Sequence, residues 1–365
     1  VGGSGGSGGT GGAGGTGGGT VVNCMTFPAE KFNLAGPYSG PLATGDFNKD
    51  GRPDIIAALN GNENAKVLLG APPMTAAADL SMNAFNGVFV GDFNGDTQED
   101  LLGVHGGAAN VFLGSGTDTF GAAKLVTVSE PTGAALGDYN GDGKLDVVWA
   151  SFGNGMLSLG NGDGTMGTAT AIQGLATGVN QVLPGDFNGD GKADFVVLGT
   201  GPTGWEVWAM IGTGSGTFTK QAGAGVTTSG RATVVDFDGD GKLDILVANT
   251  NNNSVSLVYG NGNGTFQAKV DVATGPKPVW ATAGKINGDS MKDLVVAGDN
   301  GVSVSFMVQL PSSFALPVDY AIGGKGKRVL VTNVDLKKND DIVVTLDGPT
   351  AAQVGTVQFL YNACP

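Results

Sequence analysis

The chain has 365 residues, with 33 acidic against 19 basic side chains and one histidine, for a formal charge of −14. That balance excludes nucleic acid and anionic membrane surfaces as partners, because both recruit lysine and arginine. No run approaches the roughly 18 apolar residues of a membrane helix, so no transmembrane segment is expected.

Residues 1–20 are almost only Gly, Ser, Thr and Ala. Such a stretch has nothing to bury and much backbone entropy to lose, so it reads as a flexible tether. It has neither the basic start nor the apolar run of a signal peptide, so any such segment is expected to have been removed. A spacer of this kind suits a protein held away from a surface, with an anchor upstream. The remainder, 21–365, reads as one domain.

From about residue 42 a nine-residue acidic pattern recurs seven times, starting at Asp46, Asp92, Asp138, Asp186, Asp236, Lys285 and Asn333. The intervals are 46, 46, 48, 50, 49 and 48 residues, and a period of that size implies a repeat architecture. Around the fifth copy the unit is Arg231–Asp236, the acidic loop, Asp244–Asn249, Ser254–Gly260 and Phe266–Ala273. These are four short segments rich in β-branched and aromatic residues, bounded by Gly, Asn and Asp clusters, and each is expected to be a strand. No window has apolar residues at helical spacing. The predicted fold is therefore all-β: a seven-bladed β-propeller of four-stranded antiparallel blades. The residue after the first acidic position is Phe47, Phe93, Tyr139, Phe187, Phe237, Ile286 or Val334, and is expected to wedge between blades.

The last copy supplies three strands, beginning near Lys327, Asp341 and Thr356. The missing fourth is expected at the N-terminus, where a strand at about 26–35 (Phe27 onward) aligns with Phe266–Ala273 and closes the ring. Cys24 and Cys364, the only cysteines, flank that junction and are expected to form a disulfide, which implies an oxidising compartment.

In the acidic loop the side chains at positions one, three, five and nine are hard oxygen donors, and the carbonyl at position seven adds another. An oxygen-only set rich in carboxylates on a flexible loop suits Ca²⁺; Zn²⁺ would want His or Cys, and Mg²⁺ would resist losing so many waters. Five loops carry the full set: Asp46, Asn48, Asp50, Arg52 and Asp54; Asp92, Asn94, Asp96, Gln98 and Asp100; Asp138, Asn140, Asp142, Lys144 and Asp146; Asp186, Asn188, Asp190, Lys192 and Asp194; and Asp236, Asp238, Asp240, Lys242 and Asp244. The second has Thr97 where the others have glycine, which predicts a weaker site. Lys285 in the sixth loop and Lys337 in the seventh put a cation in place of a donor, so both are expected to be empty. Five Ca²⁺ ions would bring −14 to −4. The alternative is that the loops are only Asx-turns between strands.

Asp-Phe-Asn-Gly-Asp-Gly-Lys-x-Asp, together with Gly260-Asn-Gly-Asn-Gly-Thr-Phe266, resembles the FG-GAP/VCBS repeat family, whose best-known member domain is the calcium-binding propeller of integrin α-subunits. The resemblance covers residues 26–365. It implies extracellular recognition: adhesion heads, calcium-dependent lectins and non-catalytic modules of polysaccharide-degrading enzymes all belong to it.

Catalysis usually recruits a histidine, an activated nucleophile or an open metal. His105 stands alone in a Gly-rich stretch, and no Ser-His-Asp or Cys-His set can be assembled. The expected function is thus a secreted or surface-tethered calcium-binding recognition propeller, monomeric and not an enzyme, with a glycan or protein ligand. Trp205 and Trp208 align with positions that are mostly polar in other repeats, so they are candidates for stacking on a sugar or anchoring a protein, the alternative being a filler between blades. Trp149 and Trp280 lie in apolar segments and read as core. A polysaccharide lyase or dehydratase and a purely structural scaffold are the competing functions.

Overall fold

A computed structural model describes residues 27–362, apart from 28, 34–37, 61–63, 71–73, 78, 82–85, 152, 176–177, 203, 228–229, 300–302, 308, 311–312, 323, 338 and 348–354. The expected tether and both cysteines lie outside the described residues. Among the described residues there is no helix. Seven antiparallel sheets of four or five strands follow one another along the chain, and Gln309–Leu310 pairs with Ser313–Phe314 in a small two-stranded sheet.

Blade 1 comprises Tyr38–Gly45, Asp54–Asn60, Asn64–Leu69 and Thr75–Ala76; blade 2 comprises Gly87–Gly91, Asp100–His105, Ala108–Phe112 and Lys124–Val126. Blade 3 is built from Pro131–Gly137, Asp146–Ser151, Asn154–Ser158 and Thr170–Ala171. Blade 4 has the longest third strand, Gly204–Gly212, which pairs with Val197 and its neighbours on one side and with both Phe218–Lys220 and Ala224–Gly225 on the other. Blade 5 is Ala232–Val235, Asp244–Asn249, Ser254–Val258 and Val270–Ala273; blade 6 is Pro278–Gly284, Asp293–Gly298, Ser303–Met307 and Val318–Ala321.

Blade 7 takes Lys325–Thr332, Asp341–Asp347 and Thr356–Leu360 from the C-terminal end and Ala29–Asn33 from the N-terminal end, with Ala29 opposite Leu360 and Asn33 opposite Thr356. Ring closure is as the frame of the repeat requires. Tyr320 of blade 6 donates its hydroxyl to the Phe27 carbonyl at 2.7 Å, and the Tyr361 hydroxyl donates to Glu30 at 2.6 Å, so the N-terminal strand is tied by side chains as well.

The second strands read Asp-Val-Val-Trp-Ala-Ser or Asp-Ile-Leu-Val-Ala-Asn and are buried on both faces. That is why they are continuous apolar runs and not alternating ones. The core is divided into seven clusters, one for each contact between consecutive blades, including blade 7 against blade 1. The seven expected wedge residues, from Phe47 to Val334, are all buried and sit in these clusters. The first strands touch one another in order around the axis, and the ring of contacts closes between Lys325–Thr332 and Tyr38–Gly45. The acidic loops follow the ends of these inner strands, so they all crown the same end of the ring.

Candidate metal centre

Each full loop folds on itself through its own carboxylates. In the first, the Asp46 carboxylate accepts from the backbone N–H of Asp50 at 3.0 Å and of Gly51 at 2.9 Å. Asn48 Oδ1 accepts from the N–H of Asp50 at 3.0 Å, and Asp50 Oδ1 from the N–H of Arg52 at 2.8 Å. The same ladder recurs around Asp92, Asp138, Asp186 and Asp236. Oxygens of positions one, three and five thereby fold back onto the loop's own backbone N–H groups, and that of position five holds the N–H of position seven.

The Asx-turns of the alternative reading are therefore present, and they do not compete with a metal. A carboxylate oxygen has two lone pairs and can accept one N–H while facing a cation. In the fifth loop Asp236, Asp238 and Asp244 each offer an oxygen, all within 4.8 Å of one another. Two ligands on one Ca²⁺ at 2.3–2.6 Å lie at most about 5 Å apart, so this donor set fits the ion. The lysine at position seven leans over the carboxylates: Lys242 Nζ lies 2.6 Å from Asp240, and Lys144 and Lys192 lie 3.6 and 3.5 Å from Asp142 and Asp190.

Position six takes a left-handed backbone, with φ between 78° and 82° at Gly51, Gly143, Gly191 and Gly241. Thr97 is forced to the same region, at φ 67°, which is costly for a β-branched residue. Thr97→Gly is expected to raise stability by about 1 kcal/mol, measured as a higher midpoint in denaturant. An unchanged or lower midpoint contradicts the strain.

The sixth and seventh loops keep the turn without the full donor set. In the sixth, Asn287 and Asp289 still accept the N–H groups of Asp289 and Met291 at 3.0 and 2.8 Å, but Lys285 supplies no carboxylate. In the seventh, Lys337 Nζ sits 2.5 Å from Asp335, whose side chain is nearly inaccessible. An ammonium thus stands against the position-three carboxylate, and position five, a carboxylate in the full loops, supplies no oxygen here.

Position nine has a role that its place in the motif does not suggest. Asp54, Asp100, Asp146, Asp194, Asp244, Asp293 and Asp341 are all buried, in the decayed loops as in the full ones. One oxygen of each accepts the N–H of position two, from 2.7 Å at Phe93 to 3.2 Å at Ile286. The other accepts an N–H just beyond the third strand: Gly70, Gly114, Gly160, Gly212, Gly260, Gln309 or Asn362. The carboxylate therefore clamps the two ends of the blade whether or not a metal is near. At the five glycines a Cβ would lie 2.1–2.5 Å from the carbonyl oxygen of position eight, such as Leu145 for Gly160, so only glycine allows the approach. Burial raises the pKa of all seven carboxyls, to about 6 at Asp54, Asp293 and Asp341.

The four tryptophans are placed differently from one another. Trp208 is 2 % exposed, so it offers no face to a ligand. Its ring fills the space left by Gly199, where a Cβ would lie 2.7 Å from the indole, and packs with Ile172 and Leu175 of blade 3. Lys220 caps it at 4.0 Å from the ring centroid. Polarity at the aligned positions did not signal an outward side chain: Ser256, its counterpart in blade 5, is also buried, hydrogen-bonded to Asn249 and Asp271. Trp205 is half-buried against the core between blades 4 and 5. Trp149 is core, as expected, with its indole N–H on Ser158 at 3.0 Å. Trp280 is only partly buried and stacks under the Arg328 guanidinium, 4.6 Å from the ring centroid. The His105 ring lies 3.1 Å from the Asn110 amide.

Similar proteins agree with this architecture. A chain from the structure of an Agrocybe aegerita lectin that recognises non-reducing terminal N-acetylglucosamine is 18 % identical, with 81 % of each chain covered and a TM-score of 0.56. Chains from crystals of BBS1N in complex with ARL6DN, soaked with lead or with mercury, are 12 % and 11 % identical, cover 93 % of this chain and 98 % of their own, and have TM-scores of 0.63. At such identities the likeness is one of fold. No curated protein matches the chain in sequence. The FG-GAP-like repeat matches it four times in overlapping stretches, at 92–149, 138–197, 186–247 and 236–296, which together span more than half of its length. The chain belongs to the FG-GAP-like repeat family.

Proposed function

We propose that this protein is a calcium-stabilised recognition propeller, extracellular or tethered to the cell surface, whose ligand is a glycan. The observation that carries the calcium reading is the ladder of oxygens in five loops, with the convergence of Asp236, Asp238 and Asp244 in the fifth. The ions would sit at one end of the ring and stiffen the turns from first to second strands, leaving recognition to surfaces elsewhere on the propeller. Support for a glycan ligand comes from the lectin of the same fold. An extracellular setting is supported by the Gly/Ser-rich residues 1–20 and by the cysteine pair.

Glycan-array binding with calcium and with EDTA tests the reading. Specific binding in calcium that falls in EDTA is the expected result. No glycan bound in either condition contradicts it and leaves a scaffold role. Turnover of a polysaccharide that is lost on His105→Ala would instead establish the enzyme reading.

Ala29 pairs with Leu360, and in sequence Cys24 comes five residues before the one and Cys364 four residues after the other. Non-reducing peptide mapping is expected to recover them as one linked peptide. Labelling of both thiols in unfolded, unreduced protein would contradict the disulfide.

A further inference from the structure

The central channel holds a cavity of about 450 Å³ that runs from the beginnings of the inner strands as far as Leu243. Asn86, Thr132, Gln181, Arg231, Trp280 and Arg328 line its polar end, each in or just before the first strand of one of blades 2 to 7. The size falls within the roughly 300–1,000 Å³ of small-ligand sites. Its charge is out of keeping with the rest of the molecule. The chain has three arginines, and two of them meet here in a protein of charge −14.

Among the described residues neither guanidinium has a counterion. All nine ion pairs among the described residues are made by lysines. Arg328 donates only to the backbone carbonyl of Asn86, at 3.3 Å, and lies against the Trp280 ring. Burial lowers the pKa of Arg328 to about 9, and the nearby charge of Arg231 adds to the shift. Two like charges brought together at one mouth without a partner repel each other, and an anion between them would relieve the cost.

The frame around them is fixed. The Gln181 amide bonds the backbone of Ala232 in both directions, at 2.9 and 3.0 Å, so the strand that starts beside Arg231 is clamped to blade 4. Asn86 donates to the Pro131 carbonyl at 3.2 Å, and Thr132 to the Ala150 carbonyl at 3.1 Å. The Arg328 fork is thus held in place by Trp280 and Asn86, and a planar fork of five donors matches a carboxylate.

We propose that the channel mouth binds a carboxylate-bearing ligand of monosaccharide size, its carboxylate taken by Arg231 and Arg328 and its ring seated against the neighbouring wall of the channel. The assignment of a sugar acid rests on the recognition reading; the preference for a carboxylate rests on the two arginines alone.

Calorimetric titration of the full chain in calcium tests it, with sodium D-glucuronate, D-glucose and sodium sulfate as probes at matched ionic strength. Saturable binding of glucuronate is expected, with none of glucose. Arg231→Gln and Arg328→Gln should each weaken it at least about tenfold, the loss of one charge-assisted contact, with the thermal midpoint in calcium retained. Absent glucuronate binding, equal affinity for glucose, or undiminished affinity in both variants overturns the proposal. Sulfate bound in place of glucuronate, with the same arginine dependence, overturns the carboxylate assignment in favour of an inorganic oxyanion. A glycan array that finds only neutral sugars while glucuronate fails here removes this site and leaves the wider reading intact. Glucuronate binding with a blank array does the reverse.

Discussion

Removing calcium with EDTA is expected to lower the thermal midpoint by roughly 10–20 °C, given the unfolding entropy of a domain this size. An ion bound only by the folded chain stabilises it by about 2.7 kcal/mol per site at a free concentration one hundred times its dissociation constant. Five such loops add up to the order of 10 kcal/mol. The direction follows from the loops themselves: Asp236, Asp238 and Asp244 bring three carboxylates together at the crowned end of blade 5, and without a cation their mutual repulsion weakens the turn. A single change separates metal loss from general damage. Asp186→Ala should cost about 2–3 kcal/mol in calcium and much less in EDTA. A midpoint indifferent to EDTA would remove calcium from the account.

Asp341→Ala is expected to destabilise the protein by about 3–5 kcal/mol, equally in calcium and in EDTA. This residue lies in the loop where Lys337 pairs with Asp335, so its loss removes no metal. It leaves the buried N–H groups of Val334 and Asn362, now bonded at 3.0 and 2.7 Å, without acceptors. Asp293→Ala should behave alike through Ile286 and Gln309. A cost that vanishes in EDTA would make these residues metal ligands and not clamps. The same carboxyls give a pH signature. Burial raises each to about 6 in the folded chain, from 3.8, so the native state holds the proton more tightly than the unfolded one. Their contribution is greatest below about pH 4, falls as pH rises to about 6, and is constant above. In EDTA the wild type should lose stability across that window relative to Asp341→Asn, which cannot titrate. A parallel pH profile in the two proteins would contradict the shift.

Periodic features of this molecule were legible in the sequence. The acidic loops, the seven wedges from Phe47 to Val334 and the missing strand of blade 7 recur at fixed offsets, so one copy reads all the others. What the sequence left hidden depends on a partner distant along the chain. Asp146 looks like the last ligand of a loop, and its bond to Gly160 is invisible until the third strand folds back. The persistence of Asp293 and Asp341 where the other donors have decayed was the available clue. For Trp208 the polar residues at its position in other repeats left ligand contact and gap-filling both open; that position faces inward, and Ser256 meets its polar need with Asn249 and Asp271. Trp280 and Arg328 sit in inner strands that read as core, and only closure of the ring turns those strands toward a shared channel.

Native mass spectrometry of the intact chain, titrated with calcium, tests the central claim most directly. The account predicts five ions per chain, lost stepwise as Asp46, Asp92, Asp138, Asp186 and Asp236 are replaced by alanine in turn, and no change on replacing Asn333. No bound calcium at saturating concentration, or ions that persist when those five aspartates are gone, would contradict it.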